Sequence, residues 1–225
     1  MELSIDTASE MASVAISSEG RFVAEITWQC RRNHSVELLP TIDQLLTRAH
    51  CGKSDLTAVF VCTGPGGYTG LRVGMSAAKG LAFASKLRVV GVGRLELDAY
   101  PHAAFPGPIV AVHKAGRGEL AWASYRGDPW RELLAPRLSK PEGLSTQLES
   151  GTLVVGEIDD DLTAAVAHAG VDVVYARGVA SVRRAGALAE IGFDRLSRGE
   201  DDELALVKPV YLRPPAIGPQ PKAGA

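Results

Sequence analysis

The spacing of apolar residues changes several times along this chain, and each change marks an element. Residues 2–8, 13–17 and 21–29 are strand-like runs separated at hairpin distance by Ser9-Glu10 and Ser18-Glu19-Gly20, so the chain opens as an antiparallel meander. Leu38, Ile42, Leu45, Leu46 and Ala49 follow at i, i+4, i+7, i+8 and i+11, the stripe of an amphipathic helix over 35–50. Asn33, His34 and Ser35 offer its N-cap. Pro40 requires that the helix start near it or kink there. Leu39, Ile42 and Leu46 could leave the sheet side and reach outward.

The chain is organised around residues 58–85, which read strand, glycine-rich turn, helix. Ala58 to Cys62 is a short β-branched apolar run, as a buried strand needs, and Gly64-Pro65-Gly66-Gly67 breaks it. Thr69 falls where an N-cap would. In the helix over 70–85 the polar residues are Arg72, Ser76, Lys79 and Ser85, and the first three form one narrow stripe. A helix apolar nearly all round is buried on more than one side. Gly74 and Gly80 inside it imply close approach, since glycine costs about 1 kcal/mol against alanine there. One side should face the sheet, and the other needs a partner that this chain need not supply.

The strand over 87–92 makes the turn and helix a βαβ crossover, hence a parallel pair. A short helix from Arg94 ends near Pro101. Pro106-Gly107-Pro108 is the boundary expected between two domains. Beyond it the order repeats: strands over 109–113, 119–126 and 130–138, a helix over 141–149, a strand over 152–156, a helix over 160–169, a strand over 171–176 and a helix over 182–197. The reading is α/β, with domains at 1–105 and 106–205, each β-β-β-α-β-α and the second reduced. The segment 206–225 is an extended proline-rich tail, with Val210-Tyr211-Leu212 docking and disorder beyond Arg213.

Composition narrows the function. The formal net charge is −2 over 225 residues, with 24 basic and 26 acidic side chains, which gives no electrostatic footprint for independent nucleic-acid binding. Cys30, Cys51 and Cys62 are too scattered for a disulfide framework or a zinc site and imply a reducing compartment. No run approaches the ~20 apolar residues of a membrane span, and the first residues lack a signal-peptide pattern. A cytoplasmic protein with no membrane association is expected. His34, His50, His102, His113 and His168 are scattered and read as surface or capping residues. Arg177, Arg183, Arg184, Arg195 and Arg198 read as a solvated helix face. No nucleophile motif is present.

Several motifs together resemble the TsaB family, the dimerisation subunits of the bacterial machinery that makes threonylcarbamoyladenosine in tRNA. They are Ile5-Asp6-Thr7-Ala8-Ser9, His34-Ser35-Val36-Glu37-Leu38-Leu39-Pro40, the block from Gly64 to Gly74, Gly80-Leu81-Ala82, Gly118-Glu119 and Pro209-Val210-Tyr211-Leu212-Arg213. The resemblance implies the fold shared by actin, sugar kinases and chaperone ATPases. It implies a non-catalytic subunit that supports a TsaD-like catalytic partner in threonylcarbamoyl transfer to the adenosine beside the anticodon. It also implies docking of a TsaE-like ATPase, self-association through the same helices, and contact with tRNA only through the complex. The implied interface lies on Leu38, Leu39, Ile42, Leu45, Leu46, Val73, Gly74, Ala77, Ala78, Leu81 and Ala84. A charge at Ala78 or Leu81 is expected to abolish pairing in a monomer that still folds.

The catalytic relative's two metal-binding histidines match Arg94 and Asp98 here, so neither a metal nor catalytic residues are expected. Asp6, Thr7, Gly64, Gly66, Gly67 and Thr69 match the places where this fold holds Mg²⁺ and phosphates. Such a turn can cradle an anion, or it can simply let strand and helix pack closely. The second half weakens the nucleotide reading, since His113 stands where the resemblance implies Asp. No cofactor is expected, with weak ATP or ADP binding left open, and Asp6→Ala should then have little effect on modification by the reconstituted set. The alternative is a stand-alone small-molecule kinase or ATPase of the same fold. It needs a carboxylate base and two facing phosphate loops, and only one good loop is found.

Overall fold

The computed structural model describes residues 1–31 and 33–212. It contains two five-stranded mixed sheets of identical topology. In the first, β1 (Glu2–Asp6), β2 (Met11–Ser18), β3 (Arg21–Gln29), β4 (Ala58–Gly64) and β5 (Arg88–Gly93) lie in the order β3-β2-β1-β4-β5. In the second, β6 (Ile109–Gly116), β7 (Glu119–Arg126), β8 (Arg131–Ser139), β9 (Thr152–Gly156) and β10 (Val173–Tyr175) lie in the order β10-β9-β6-β7-β8. In both, the meander strands are antiparallel and the crossover strands parallel. The repeat read from the order of elements is therefore a repeat in space.

The helices divide by face. Along each strand alternate side chains point to opposite sides. Leu3, Ile5, Val14, Ile16, Val59 and Val61 face α1 (His34–Arg48) and α2 (Tyr68–Ser85). Ala58, Phe60, Cys62, Val90 and Val92 face the other way. In the second sheet Val110, Val112, Trp122 and Val154 face α4 (Pro141–Ser145) and α5 (Asp160–Ala169), and Ile109, Ala111, Ala123 and Val155 face α3 (Arg94–Ala99).

The last helix corrects the expected content of 106–205. Leu188, Ile191 and Leu196 of α6 (Ala185–Ser197) pack on Phe60, Val90 and Val92 of the first sheet, not on the second. The cause is legible at its start. The N–H groups of Ala185 and Gly186, orphans of a first turn, donate to Ser13 Oγ (3.0 Å) and Glu25 Oε2 (2.8 Å) of β2 and β3. At Gly192 an added Cβ would lie 2.4 Å from the Phe60 ring, so only glycine lets the helix settle there. Thus α3, from the first half, covers the second sheet, while α6, from the second half, covers the first.

Three smaller expectations are also decided. Pro40 lies inside α1, which starts six residues earlier with Asn33, one of the offered caps, as N-cap, so of the two readings of Pro40 a helix start near it is excluded. The helix after the glycine turn starts at Tyr68 with Gly67 as N-cap, so Thr69 does not cap it. Gly80 has nothing within 4 Å of an added Cβ, so no contact in this chain explains it. After α6 the chain returns along the first sheet: Asp202 N–H donates to Val89 O (2.8 Å), Val207 enters the core, and Val210 N–H donates to Thr63 O (2.8 Å). Val210 therefore docks as expected. The expectation for residues beyond Arg213 lies outside the described residues.

Candidate functional site

Two places could carry function: the cleft between the sheets and the outer face of α1 and α2. The cleft lies at the C-terminal ends of the parallel strands, where open α/β sheets place ligands. It holds a cavity of about 450 Å³, lined among others by Thr7, Ser9, His34, Thr69, Arg94 and Glu157. The sequence-predicted phosphate residues do come together here, but Thr7 and Gly67 are spent on neighbouring backbone carbonyls. Thr7 Oγ1 donates to Gly70 O (2.7 Å), and Gly67 N–H donates to Ala8 O (2.9 Å). An added Cβ at Gly66 would lie 2.2 Å from Ala8 O, and one at Gly70 would lie 2.2 Å from Thr7 O. Gly64 has φ +100°, a conformation that glycine tolerates. Close packing of the β1 end against the turn thus accounts for Gly66 and Gly70, and Thr69 is exposed. Gly66→Ala should overpack this contact and cost about 1–3 kcal/mol of unfolding free energy in urea titration.

Asp6 is 1% exposed and both its oxygens are taken. Oδ1 accepts from Ala8 N–H (2.9 Å), and Oδ2 accepts from Arg183 Nε. Arg183, just before α6, is 7% exposed, which overturns its reading as a solvated residue. Its Nη1 reaches Asp98 Oδ1 (3.1 Å) and its Nη2 reaches Ser9 Oγ (3.1 Å). Asp98 Oδ2 lies 3.4 Å from Arg94 Nε, one helical turn away on α3. Arg94 Nη2 donates to Glu157 Oε1 (2.6 Å), and its Nη1 lies 2.7 Å from His113 Nδ1. The positions matching the metal-binding histidines are therefore a buried ion pair. Both Asp6 oxygens accept from protein donors, and its countercharge is Arg183, so it offers no uncompensated carboxylate to a metal-bound nucleotide.

The other basic residues differ. Arg184 pairs with Glu25, Arg195 with Glu96, and Arg198 with Asp194 and Glu200. His34 and His113 also depart from a surface role. His34 is buried, with Nε2 2.9 Å from Ser9 O, and His113 Nδ1 lies 3.0 Å from Glu157 Oε2. All three cysteines are buried and free, and burial pushes the Cys62 thiol well up, which suits packing rather than reactivity.

Burial alone would raise the Asp6 carboxyl, but the Arg183 guanidinium and the Ala8 N–H outweigh it and hold it below the usual carboxylate range. Burial opposes ionisation of Glu157 too, and is outweighed by His113 and Arg94. A carboxyl lowered in the folded state binds fewer protons there than in the unfolded chain. Its stabilisation is complete above the unfolded value and is lost as pH falls through the folded one. The urea midpoint should therefore fall progressively below about pH 4. That fall should be shallower in Asp6→Asn, whose pair no longer titrates.

The second place is the layer of α1 and α2. Their contact with each other and with the sheet takes more of the expected interface than the sequence implied. Leu38, Ile42, Leu45 and Leu46 are buried core, and so is Ala78, at 0% exposure. At Gly74 an added Cβ would lie 2.2 Å from Thr7 Oγ1. What faces outward is Leu39 (56% exposed), Ala84, and the half-buried Val73, Ala77 and Leu81. Tyr68 joins them in the groove, and Val36 and Phe83 (79% exposed) stand in solvent on the same two helices, three residues that sequence reasoning missed. A groove of about 600 Å³ between the helices is lined by Leu38, Leu39, Tyr68, Val73 and Ala77. Arg72 lies 3.9 Å over the Tyr68 ring, whose other neighbour is Tyr211 at 5.4 Å.

The comparisons with known proteins place the chain in a family. The family model described as TsaD, tRNA N6-adenosine threonylcarbamoyltransferase, matches residues 23–176. The chain is 34% identical to the tRNA threonylcarbamoyladenosine biosynthesis protein TsaB of Escherichia coli K12, over 62% of each chain. It is 32% identical to the TsaB of Haemophilus influenzae, over 66% of this chain and 67% of that one. A Bacillus subtilis TsaB is covered over 54% of its length, so the match spans little more than half of some of these relatives. A Pseudomonas aeruginosa crystal structure, described as an uncharacterized protein with similarity to peptidase YEAZ, superposes with a TM-score of 0.80 at 26% identity. That match covers 94% of this chain and 99% of the other. No helix among the described residues is long and apolar enough to cross a membrane. With a family model over most of its length and TsaB proteins among its relatives, the chain belongs to the TsaD and TsaB family of tRNA threonylcarbamoyladenosine biosynthesis proteins.

Proposed function

We propose that this chain is a non-catalytic partner subunit. It binds and supports a TsaD-like threonylcarbamoyltransferase in modifying the adenosine beside the tRNA anticodon. The carrying observation is the outward side of α1 and α2, where Leu39 stands in solvent at the edge of an apolar groove and Phe83, further along α2, is exposed as well. Exposed apolar patches of this kind mark interaction sites. The pseudo-enzyme reading is supported by the ion pair of Arg94 and Asp98. In this reading a TsaE-like ATPase docks on the assembled pair, a second copy can use the same face, and tRNA is met only through the complex, in the cytoplasm. The kinase alternative has less support, because the one good glycine turn is packed against Ala8.

The test is reconstitution. TsaD-like and TsaE-like subunits, ATP, threonine, bicarbonate, the adenylate-forming enzyme and unmodified tRNA are assayed for modified nucleoside, with and without this chain. Product should require it. Equal product in its absence overturns the reading.

A further inference from the structure

The two halves are joined through a line of six side chains. Asp6 stands at the end of β1, in the first sheet. Arg183 bonds it and Asp98 of α3, Arg94 lies beside Asp98, and Arg94 meets Glu157, just past β9, and His113 of β6, where the β6–β9 pairing ends, in the second sheet. We propose that Arg94 and Arg183 are resident cations of the cleft, which stand where a metal-bound nucleotide would need positive charge and latch the two halves in one arrangement that does not answer to Mg·ATP or Mg·ADP.

Three features carry this. First, the cations are covalently part of the chain and always charged, whereas a bound metal can leave. Second, Arg183 spends its planar fork across the cleft, and Arg94, which follows β5 directly in the chain, spends its own on the second sheet and α3. Arg183 meets Asp6, Asp98 and Ser9, and Arg94 meets Glu157, His113 and Asp98. Opening the cleft would strand Asp6, Asp98 and Arg94, each more than nine-tenths buried, without their partners. Third, Mg²⁺ prefers oxygen ligands in octahedral geometry and keeps much of its water. Both oxygens of Asp6 are already bonded, and the carbonyl of Ala8 sits against the Gly66-Gly67 turn. A triphosphate entering beside Glu157 would add charge next to a carboxylate whose countercharge is already supplied. The latch is independent of pairing through α1 and α2, so either idea can fail alone.

The test measures the distance between the halves in the full chain. Spin labels go on Gln44→Cys of α1 and Asp161→Cys of α5, both exposed, while the three native cysteines are buried. Labelled protein is diluted into unlabelled chain so that only distances within one molecule are read. A single narrow distribution, unmoved by millimolar Mg·ATP or Mg·ADP, is expected, with no heat on calorimetric titration of either nucleotide. Arg183→Met should lose the single narrow peak. A nucleotide-dependent shift in the wild-type chain overturns the proposal, as does a distribution in Arg183→Met as narrow as in wild type. If Arg183→Met does not fold, Glu157→Gln at the half-exposed end of the line takes its place. Broadening supports the latch, and an unchanged peak overturns it.

Discussion

An Arg183→Ala chain should unfold in urea with about 3–5 kcal/mol less free energy than wild type, at an unchanged slope on denaturant. The figure follows from what remains behind. Asp6 and Asp98 are 1% and 8% exposed, and removing the guanidinium leaves two carboxylates in a site water barely reaches. The pair itself need contribute little, because desolvating the ions opposes their attraction. The two effects separate in a combined variant. Arg183→Met with Asp6→Asn and Asp98→Asn removes the charges together and should recover most of the lost stability, whereas Arg183→Ala alone should not. A single variant within about 0.5 kcal/mol of wild type would mean that the carboxylates find other partners or water. By the same logic Asp6→Ala, whatever it does to tRNA modification, strands a buried arginine and should lose stability in the same range.

The burial of Arg183 shows what the sequence could and could not carry. The two sheets were legible because their strands alternate or run wholly apolar, with glycine and proline between them, and the βαβ crossovers then follow from chain order. The residues of the cleft were legible as a set, since Asp6, the glycine turn, Arg94 and Asp98 are all local motifs. Their use was not. Arg183 lies 177 residues from Asp6, and nothing in its Arg-Arg dipeptide distinguishes a buried cation from a solvated one. The same holds for α6: its apolar stripe says that it packs, but the sheet it packs on is decided by Ser13 and Glu25, far away in sequence. On the outer helices the periodicity located the stripe but merged two faces. Leu38 and Leu39 are neighbours in sequence, yet one is core and the other stands in solvent. Phe83 was passed over because it sits among small residues in a helix that looked buried all round.

Leu39→Glu combined with Phe83→Glu should abolish co-elution with a TsaD-like subunit, weakening binding by at least about 100-fold, or about 2.7 kcal/mol, while the thermal midpoint of the isolated chain barely moves. The pair is chosen by exposure. At 56% and 79% exposed, neither side chain supports the monomer core, so charging both costs the fold little. The expected test at Ala78 fails on this ground, since Ala78 is fully buried and a glutamate there would unfold α2 before it informed on pairing. Large exposed apolar side chains at the centre of a contact dominate its energy, and a buried carboxylate without a partner opposes association directly. Arg72→Ala, near the groove but polar and ring-stacked, supplies the graded comparison and should weaken binding less. Sedimentation of the double variant alone reads self-association on the same face, which should vanish in parallel. Wild-type co-elution by the double variant would place the docking surface elsewhere and remove the principal support for a partner-subunit role. Loss of pairing together with loss of the thermal transition would instead show that these two side chains belong to the fold.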